Sequence, residues 1–302
     1  MTRLADLAEL VRAPAALSVP GDVLSGAAAA GALGPRTPAL AGASVLLYWA
    51  GMAANDWADR RLDAVERPER PIPSGRVRPS VALGVASGLT AAGLAVATAA
   101  GGRRAAVVAL PLAATIWGYD LRAKNTAAGP AVMAACRGLD VLLGASGGRV
   151  VRALPAALTV AAHTWTVTAL SRREVTGADR RLPARTLAGT ALIALTTPAR
   201  PTVSSGAPSS TGCVKKGPFL RVGELVPAVL AAGYAARYGR AQARVLADPS
   251  PARVRAAVGA GITGLPALQG ALTARAGARL LGLAVAGAAP LGRRLARLIS
   301  PT

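Results

Sequence analysis

Residues 38–63 read PALAGASVLLYWAGMAANDWADRRLD, and this stretch decides the fold class. Its first part, 38–54, carries no charged side chain. It reaches the roughly 17 to 25 residues that a helix needs to cross a bilayer. Its second part, from Asn55 to Asp63, places Asp56, Asp59 and Asp63 directly after that apolar run. At about 100° per helical residue these three carboxylates fall within about 60° of one another. A membrane span therefore delivers an acidic face to the membrane boundary. Like charges so close repel, so a cation is expected among them. Magnesium suits the place, because it takes oxygen ligands and binds through one or two carboxylates together with substrate phosphates. A solvated acidic helix end, paired with Arg60 and Arg61, is the plainer alternative.

The rest of the chain fits a membrane setting. Of 302 residues, 52% are hydrophobic and 16% charged, with a mean hydropathy of +0.41. Soluble domains carry about 25% charged residues. Apolar segments recur at 16–33, 38–54, 80–100, 105–117, 128–144, 153–170, 187–197, 225–236, 254–272 and 280–291, separated by short charged breaks. The expected fold is all-α, a multi-pass transmembrane bundle of about nine helices around a central cavity, forming a single membrane domain over 1–302. One stretch, 198–222, is rich in Pro, Ser, Thr and Gly and lacks periodicity, and it reads as an irregular insert. The opening residues carry Asp6 and Glu9 and lack a signal-peptide layout, so the first apolar segment is expected to stay as an anchor.

The net charge of +21 could suggest nucleic acid. The basic residues instead sit in short clusters between apolar segments, so no nucleic-acid partner is expected and the surrounding partner is membrane lipid. Placing the loops on alternate sides puts 23 Lys and Arg with the N-terminus and the acidic motif and 11 on the opposite face. That bias places the motif loops in the cytoplasm of a bacterial plasma membrane. The Ala, Arg and Gly excess suits a GC-rich genome. Cys136 and Cys213 have no CxxC partner, which argues against a disulfide framework or a zinc site.

Downstream of the acidic face comes ERPERPIPSGRV, 66–77. Its prolines deny a helix and stiffen the loop. Its arginines could grip phosphate oxygens bidentately, or merely anchor the loop on the cytoplasmic side. Arg137 and Asp140 lie three apart within an apolar segment, where charges are expensive. A local ion pair and a substrate-binding role are both open for Arg137. The lone histidine, His163, reads first as a packed interior residue, with proton acceptance from an aromatic substrate as the sharper possibility.

NDWADRRLD followed by ERPERPIPSGRV resembles the first Asp-rich signature and adjoining loop of the UbiA superfamily of intramembrane prenyltransferases. YDLRAK at 119–124 is similar to that family's Tyr and Lys element, and CRGLDVLLG at 136–144 to its fifth-helix stretch. Within the superfamily the chain looks closest to the EboC-like, actinobacterial branch. The resemblance implies a magnesium-dependent transfer of a prenyl group from a prenyl diphosphate to an aromatic or other small acceptor. It implies that Asn55, Asp56, Asp59 and Asp63 hold Mg2+ bridged to the diphosphate, with Lys124, Arg67, Arg70 and Arg122 neutralising phosphate oxygens. Tyr119 would lie near the diphosphate or the allylic carbon. The family carries a second acidic pair between helices six and seven. Here only Glu174 falls near a ligand position, with Asp179 five residues on and Gly177 between them. Glu174 is expected to supply that metal ligand with Asp179 on a bent loop. The alternative is a catalytically weakened scaffold that binds or carries prenyl lipids. A CDP-alcohol phosphotransferase, which also clusters aspartates, is disfavoured by the lack of its DGxxAR run.

Overall fold

The computed structural model describes residues 3–13, 18–197 and 222–288. The insert expected at 198–222 lies outside the described residues, apart from Val222, which opens a helix. Among the described residues the chain is helical throughout. The order is α1 (Leu4–Leu10), α2 (Val19–Ala30), α3 (Thr37–Glu66), α4 (Pro79–Gly118), a π-helical turn (Tyr119–Ala123), α5 (Gly129–Ala145), α6 (Val150–Ser171), α7 (Arg181–Thr196), α8 (Val222–Ala247), α9 (Pro251–Arg275) and α10 (Arg279–Ala288).

Proline marks several starts: Pro20, Pro38, Pro79, Pro130 and Pro251 sit in the first turn of α2, α3, α4, α5 and α9. The ring presets the helical φ, and the amide it lacks would have no partner there. Gly31 ends α2 at φ 69°, in the left-handed region that favours glycine.

The π-flanked helix α4 is two antiparallel arms, 79–101 and 103–118. Gly102, at φ 63° and ψ −154°, turns the chain between them. Trp117 Nε1 donates to Thr90 Oγ1 at 3.0 Å, although a straight helix would hold residues 27 apart about 40 Å from each other. The two apolar segments read at 80–100 and 105–117 are thus the two arms. Counting them separately, α2 to α10 make ten helices among the described residues, one for each apolar segment and close to the nine expected. Helices α3, α4 and α6 contain windows long and apolar enough to cross a membrane.

Among the described residues the core gathers in four clusters, two of them large. One gathers Val19, Val23, Leu40, Leu47, Leu112, Ile116 and Leu143 from α2 to α5. The other gathers Val160, Leu170, Ile193, Tyr234, Tyr238 and Leu268 from α6 to α9. Helices α2 and α5 approach backbone to backbone: a Cβ on Gly26 would strike the Val141 carbonyl, and one on Gly144 the Val23 carbonyl. Glycine at such a crossing lets the two backbones approach closely.

Helix α3 does not stop where its apolar run stops. Its 30 residues extend about 45 Å, longer than the roughly 30 Å of hydrocarbon. The acidic motif is the last part of this helix, and the loop that follows is 67–78. Asp and Arg at short helical spacings support one another along a helix that has left the bilayer core.

Candidate active site

Extension of α3 through Glu66 fixes the acidic side chains on one face. Asp56 and Asp63 are buried, at 4% and 1% exposure. Each is met by guanidinium groups. Arg12 Nη2 lies 2.7 Å from Asp56 Oδ1. Arg70 Nη1 lies 2.7 Å from Asp63 Oδ2 and 3.5 Å from Asp56 Oδ1, so one nitrogen touches both carboxylates. Arg67 approaches Asp63 at 3.6 Å. Asp59 turns to the π-helical turn, where Lys124 Nζ reaches it at 2.6 Å and donates to Asn55 Oδ1 at 2.9 Å. The four motif residues therefore share one basic shell of Arg12, Arg67, Arg70 and Lys124.

The loop that carries Arg67 and Arg70 is tied down by α1. Arg76 pairs with Asp6 at 2.9 Å and with Glu9 at 2.6 Å, and donates to the Glu69 carbonyl at 2.7 Å. The Arg3 backbone amide and then Arg76 hold the Asp6 carboxyl below its usual range.

A cavity of about 230 Å³ opens beneath this cluster. Arg12, Asn55, Tyr119 and Asp120 form its polar wall, and Met52, Ile116 and Met133 its apolar wall. Its inner end meets Tyr48 and Cys136. Behind Tyr48 lies a buried ionic network. Arg137 Nε is 2.7 Å from Asp22 Oδ2, and the Arg137 guanidinium stacks on the Tyr48 ring at 5.4 Å. Gln269 Nε2 donates to Asp22 Oδ1 at 2.6 Å and to the Ser18 carbonyl at 2.8 Å. The local Arg137–Asp140 pair, one of the two readings the spacing left open, is not formed. Arg137 reaches across to α2, and Asp140 accepts from Ser44 of α3. Side chains three apart on α5 diverge toward different neighbours once partners on other helices are available.

Glu174 and Asp179 lie on the link 172–180, whose Arg172 donates to the Lys124 and Thr126 carbonyls, and neither acid forms an ion pair among the described residues. Asp179 is exposed, and its Oδ1 accepts the Leu182 amide, which caps the start of α7. Glu174 is half-buried, and its carbonyl accepts from Arg255 at 2.8 Å. Burial lifts its carboxyl above the ordinary value, against the charge of Arg255. Arg122 is exposed and makes no ion pair among the described residues. His163 is buried, with Nδ1 2.9 Å from the Tyr234 hydroxyl, in line with a packed interior residue.

Sequence reasoning passed over Arg12, Asp120 and Tyr48 as site residues. Among the described residues Arg12 is the only non-glycine at positive φ, 46°, a conformation sustained only where surroundings enforce it. Nothing in its immediate sequence announces that α1 folds back onto α3. Asp120 adjoins Tyr119 in a segment already singled out, and its burial in the cavity wall is a tertiary fact.

Lys124 is the one cation bound to both Asn55 and Asp59. Lys124→Ala is expected to raise the KM for a prenyl diphosphate about tenfold or more with a smaller change in KM for the acceptor, since a charge-assisted hydrogen bond contributes about 1.5 to 3 kcal/mol. Steady-state kinetics with each substrate varied in turn checks this, and an unaltered donor KM removes Lys124 from the site.

Comparison with known proteins gives the class. Residues 22–258 match the UbiA prenyltransferase family. Digeranylgeranylglyceryl phosphate synthase of Methanothrix thermoacetophila is 44% identical over 80 residues, covering 26% of this chain and 30% of that protein. The 33 kDa chain of bacteriochlorophyll synthase of Cereibacter sphaeroides is 46% identical over 54 residues, 18% of each chain. These matches span less than a third of the curated relatives' length. A solved structure of digeranylgeranylglyceryl phosphate synthase superimposes with a TM-score of 0.66 at 16% identity, covering 91% of this chain and 99% of that one. The apo structure of a UbiA homologue from Aeropyrum pernix K1 gives 0.60 at 17% identity, covering 88% and 96%. The chain belongs to the UbiA prenyltransferase family and is an integral membrane protein.

Proposed function

We propose that this protein transfers a prenyl group from a prenyl diphosphate to an aromatic or other small acceptor within the membrane, with magnesium at the α3 carboxylates. The observation that carries this reading is the acidic face of α3, met by four cationic side chains, one of which, Arg12, lines a cavity together with Asn55 and Tyr119. The same chemistry appears in the names of the relatives, a glycerophosphate lipid synthase and a bacteriochlorophyll synthase.

The donor set suits the metal. Asn55, Asp56, Asp59 and Asp63 offer only oxygen, and the Arg70 nitrogen between Asp56 and Asp63 marks a place where a cation is held. Among the described residues no group of three or more His, Cys, Asp or Glu side chains encloses a metal by itself. Substrate phosphates would therefore have to supply part of the coordination. When bound, the metal would neutralise the diphosphate as a Lewis acid.

The chain's own residues do the rest. Lys124, Arg12, Arg67 and Arg70 donate to phosphate oxygens and stabilise the negative charge that grows as the allylic C–O bond breaks. The bond's electron pair leaves with pyrophosphate, the acceptor's lone pair or π electrons form the new bond, and the acceptor's proton is released. Met52, Ile116 and Met133 line the path of the isoprenoid chain and keep water from the allylic cation. Tyr119 stands at the polar rim, between diphosphate and reacting carbon. Within the family we favour the EboC-like, actinobacterial branch, on the composition and the 119–144 stretch. The motif end is read as cytoplasmic from its basic bias.

The second reading, a prenyl-lipid carrier with lapsed catalysis, draws on one observation: Asp179 spends its carboxylate on the α7 N-terminus, leaving Glu174 as the lone acid near the second position. Pyrophosphate release from purified protein, with prenyl diphosphates of several lengths, Mg2+ and a panel of acceptors, separates the two. Release above a no-enzyme control supports the transferase. Tight binding with no release supports the carrier. Under the transferase reading Glu174→Gln is expected to lower kcat by at least about tenfold with little change in fold, because a ligating carboxylate is lost. Unchanged turnover places the second metal ligand elsewhere.

A further inference from the structure

A second cavity, of about 440 Å³, lies away from the acidic motif, between α8 and α9. Arg237, Arg240 and Arg244 project into it from α8, and Arg253 from α9. Its floor is Gly233, Ala236, Ala241, Ala256 and Ala260. No acidic side chain lines it. The nearest acid, Asp248, pairs with Arg253 at 3.4 Å, and Arg240 and Arg244 have no carboxylate partner among the described residues.

General positive-side anchoring would gather these arginines beyond the helix end. Their placement is different. Positions 237, 240 and 244 share one helical face over two turns. Arg237 lies ten residues before the end of α8, and its Nη2 donates to Thr263 Oγ1 at 3.1 Å. Thr263 is about 18 Å along α9 from Pro251. The charge therefore runs from the helix ends inward along the α8–α9 groove. Four guanidinium groups lining one cavity, with a single carboxylate contact at 3.4 Å among them, favour an anion in their midst. The small floor residues leave room for an acyl chain beside the guanidinium groups.

We propose that this groove is a binding site for an acidic phospholipid, with the phosphate held by Arg240, Arg244 and Arg253 and an acyl chain on the Ala/Gly floor. Basic pockets between transmembrane helices recognise such headgroups. Arg237 holds the inner end of the groove open by bridging to α9.

The test uses the full chain purified in detergent, with phosphatidylglycerol and phosphatidylcholine as probes and native mass spectrometry as the readout of retained lipid. Wild type is expected to retain phosphatidylglycerol over phosphatidylcholine. Arg240→Gln/Arg244→Gln is expected to lose about thirtyfold in affinity for phosphatidylglycerol alone. Arg180→Gln/Arg181→Gln removes two exposed charges next to α7, outside the groove, and is expected to keep the preference. Ala256→Leu fills the floor without changing charge and is expected to weaken retention while pyrophosphate chemistry is untouched. Equal loss in both arginine pairs would show that charge at this end suffices, and would overturn the site. Undiminished preference in the groove variants overturns it as well. Displacement of phosphatidylglycerol by inorganic phosphate alone would assign the arginines to a free anion and overturn the lipid.

Discussion

Asp59→Ala is expected to lower kcat/KM for a prenyl diphosphate by at least about a hundredfold, close to 2.7 kcal/mol of transition-state stabilisation. Asp59 is the motif carboxylate that faces Lys124, at 2.6 Å, and it joins the α3 face to the π-helical turn. Removing it withdraws an oxygen donor and also frees Lys124 from the only carboxylate it pairs with among the described residues. Asp59→Asn separates the two effects, because the shape and one hydrogen bond to Lys124 remain while the charge is gone. If the carboxylate's charge matters, Asn behaves like Ala in pyrophosphate release. If only the position of Lys124 matters, Asn retains most activity. Both variants are expected to fold, since Asp59 lies near the open end of the cluster and buries less surface than Asp56 or Asp63.

Arg137→Leu is the change with the largest expected cost in stability, about 3 to 5 kcal/mol, a fall of roughly 10 °C in apparent melting temperature in detergent. It strands Asp22, which is 0% exposed and paired with Arg137 at 2.7 Å. Leucine supplies comparable bulk, so the loss reports an uncompensated buried charge more than a cavity. The double variant Asp22→Asn/Arg137→Leu removes that charge and leaves Gln269 an amide to bond, and it is expected to recover at least half of the loss. A single variant as stable as wild type, followed by differential scanning fluorimetry, would show that the pair holds nothing together. The network also backs Tyr48 at the inner end of the cavity, so the site and the stability of the bundle are coupled through one ion pair.

The sequence made the membrane class, the helix number and the acidic face plain, because each follows from short-range patterns: apolar length, proline placement and the spacing of Asp56, Asp59 and Asp63. Even the hairpin within α4 was visible, since two charged residues after Gly102 interrupt its apolar run. Partners that come from distant segments were not visible. Arg12 meets Asp56 only because α1 folds over the end of α3, and Arg76 holds that arrangement through Asp6 and Glu9. Arg137 had a carboxylate three residues away in Asp140, yet it pairs with Asp22 on α2, which close Gly26 and Gly144 contacts bring alongside α5. Asp179, which the resemblance sets beside Glu174, accepts the Leu182 amide at the start of α7, a contact readable from its place two residues before Arg181.

Calorimetric titration of the full chain with a non-hydrolysable geranylgeranyl thiodiphosphate, with Mg2+ present and then removed by EDTA, tests the central claim most directly. A diphosphate gripped through a divalent cation at the α3 carboxylates predicts binding that needs Mg2+ and disappears in Asp59→Ala. Equal affinity with and without the metal, or in the variant, would contradict it.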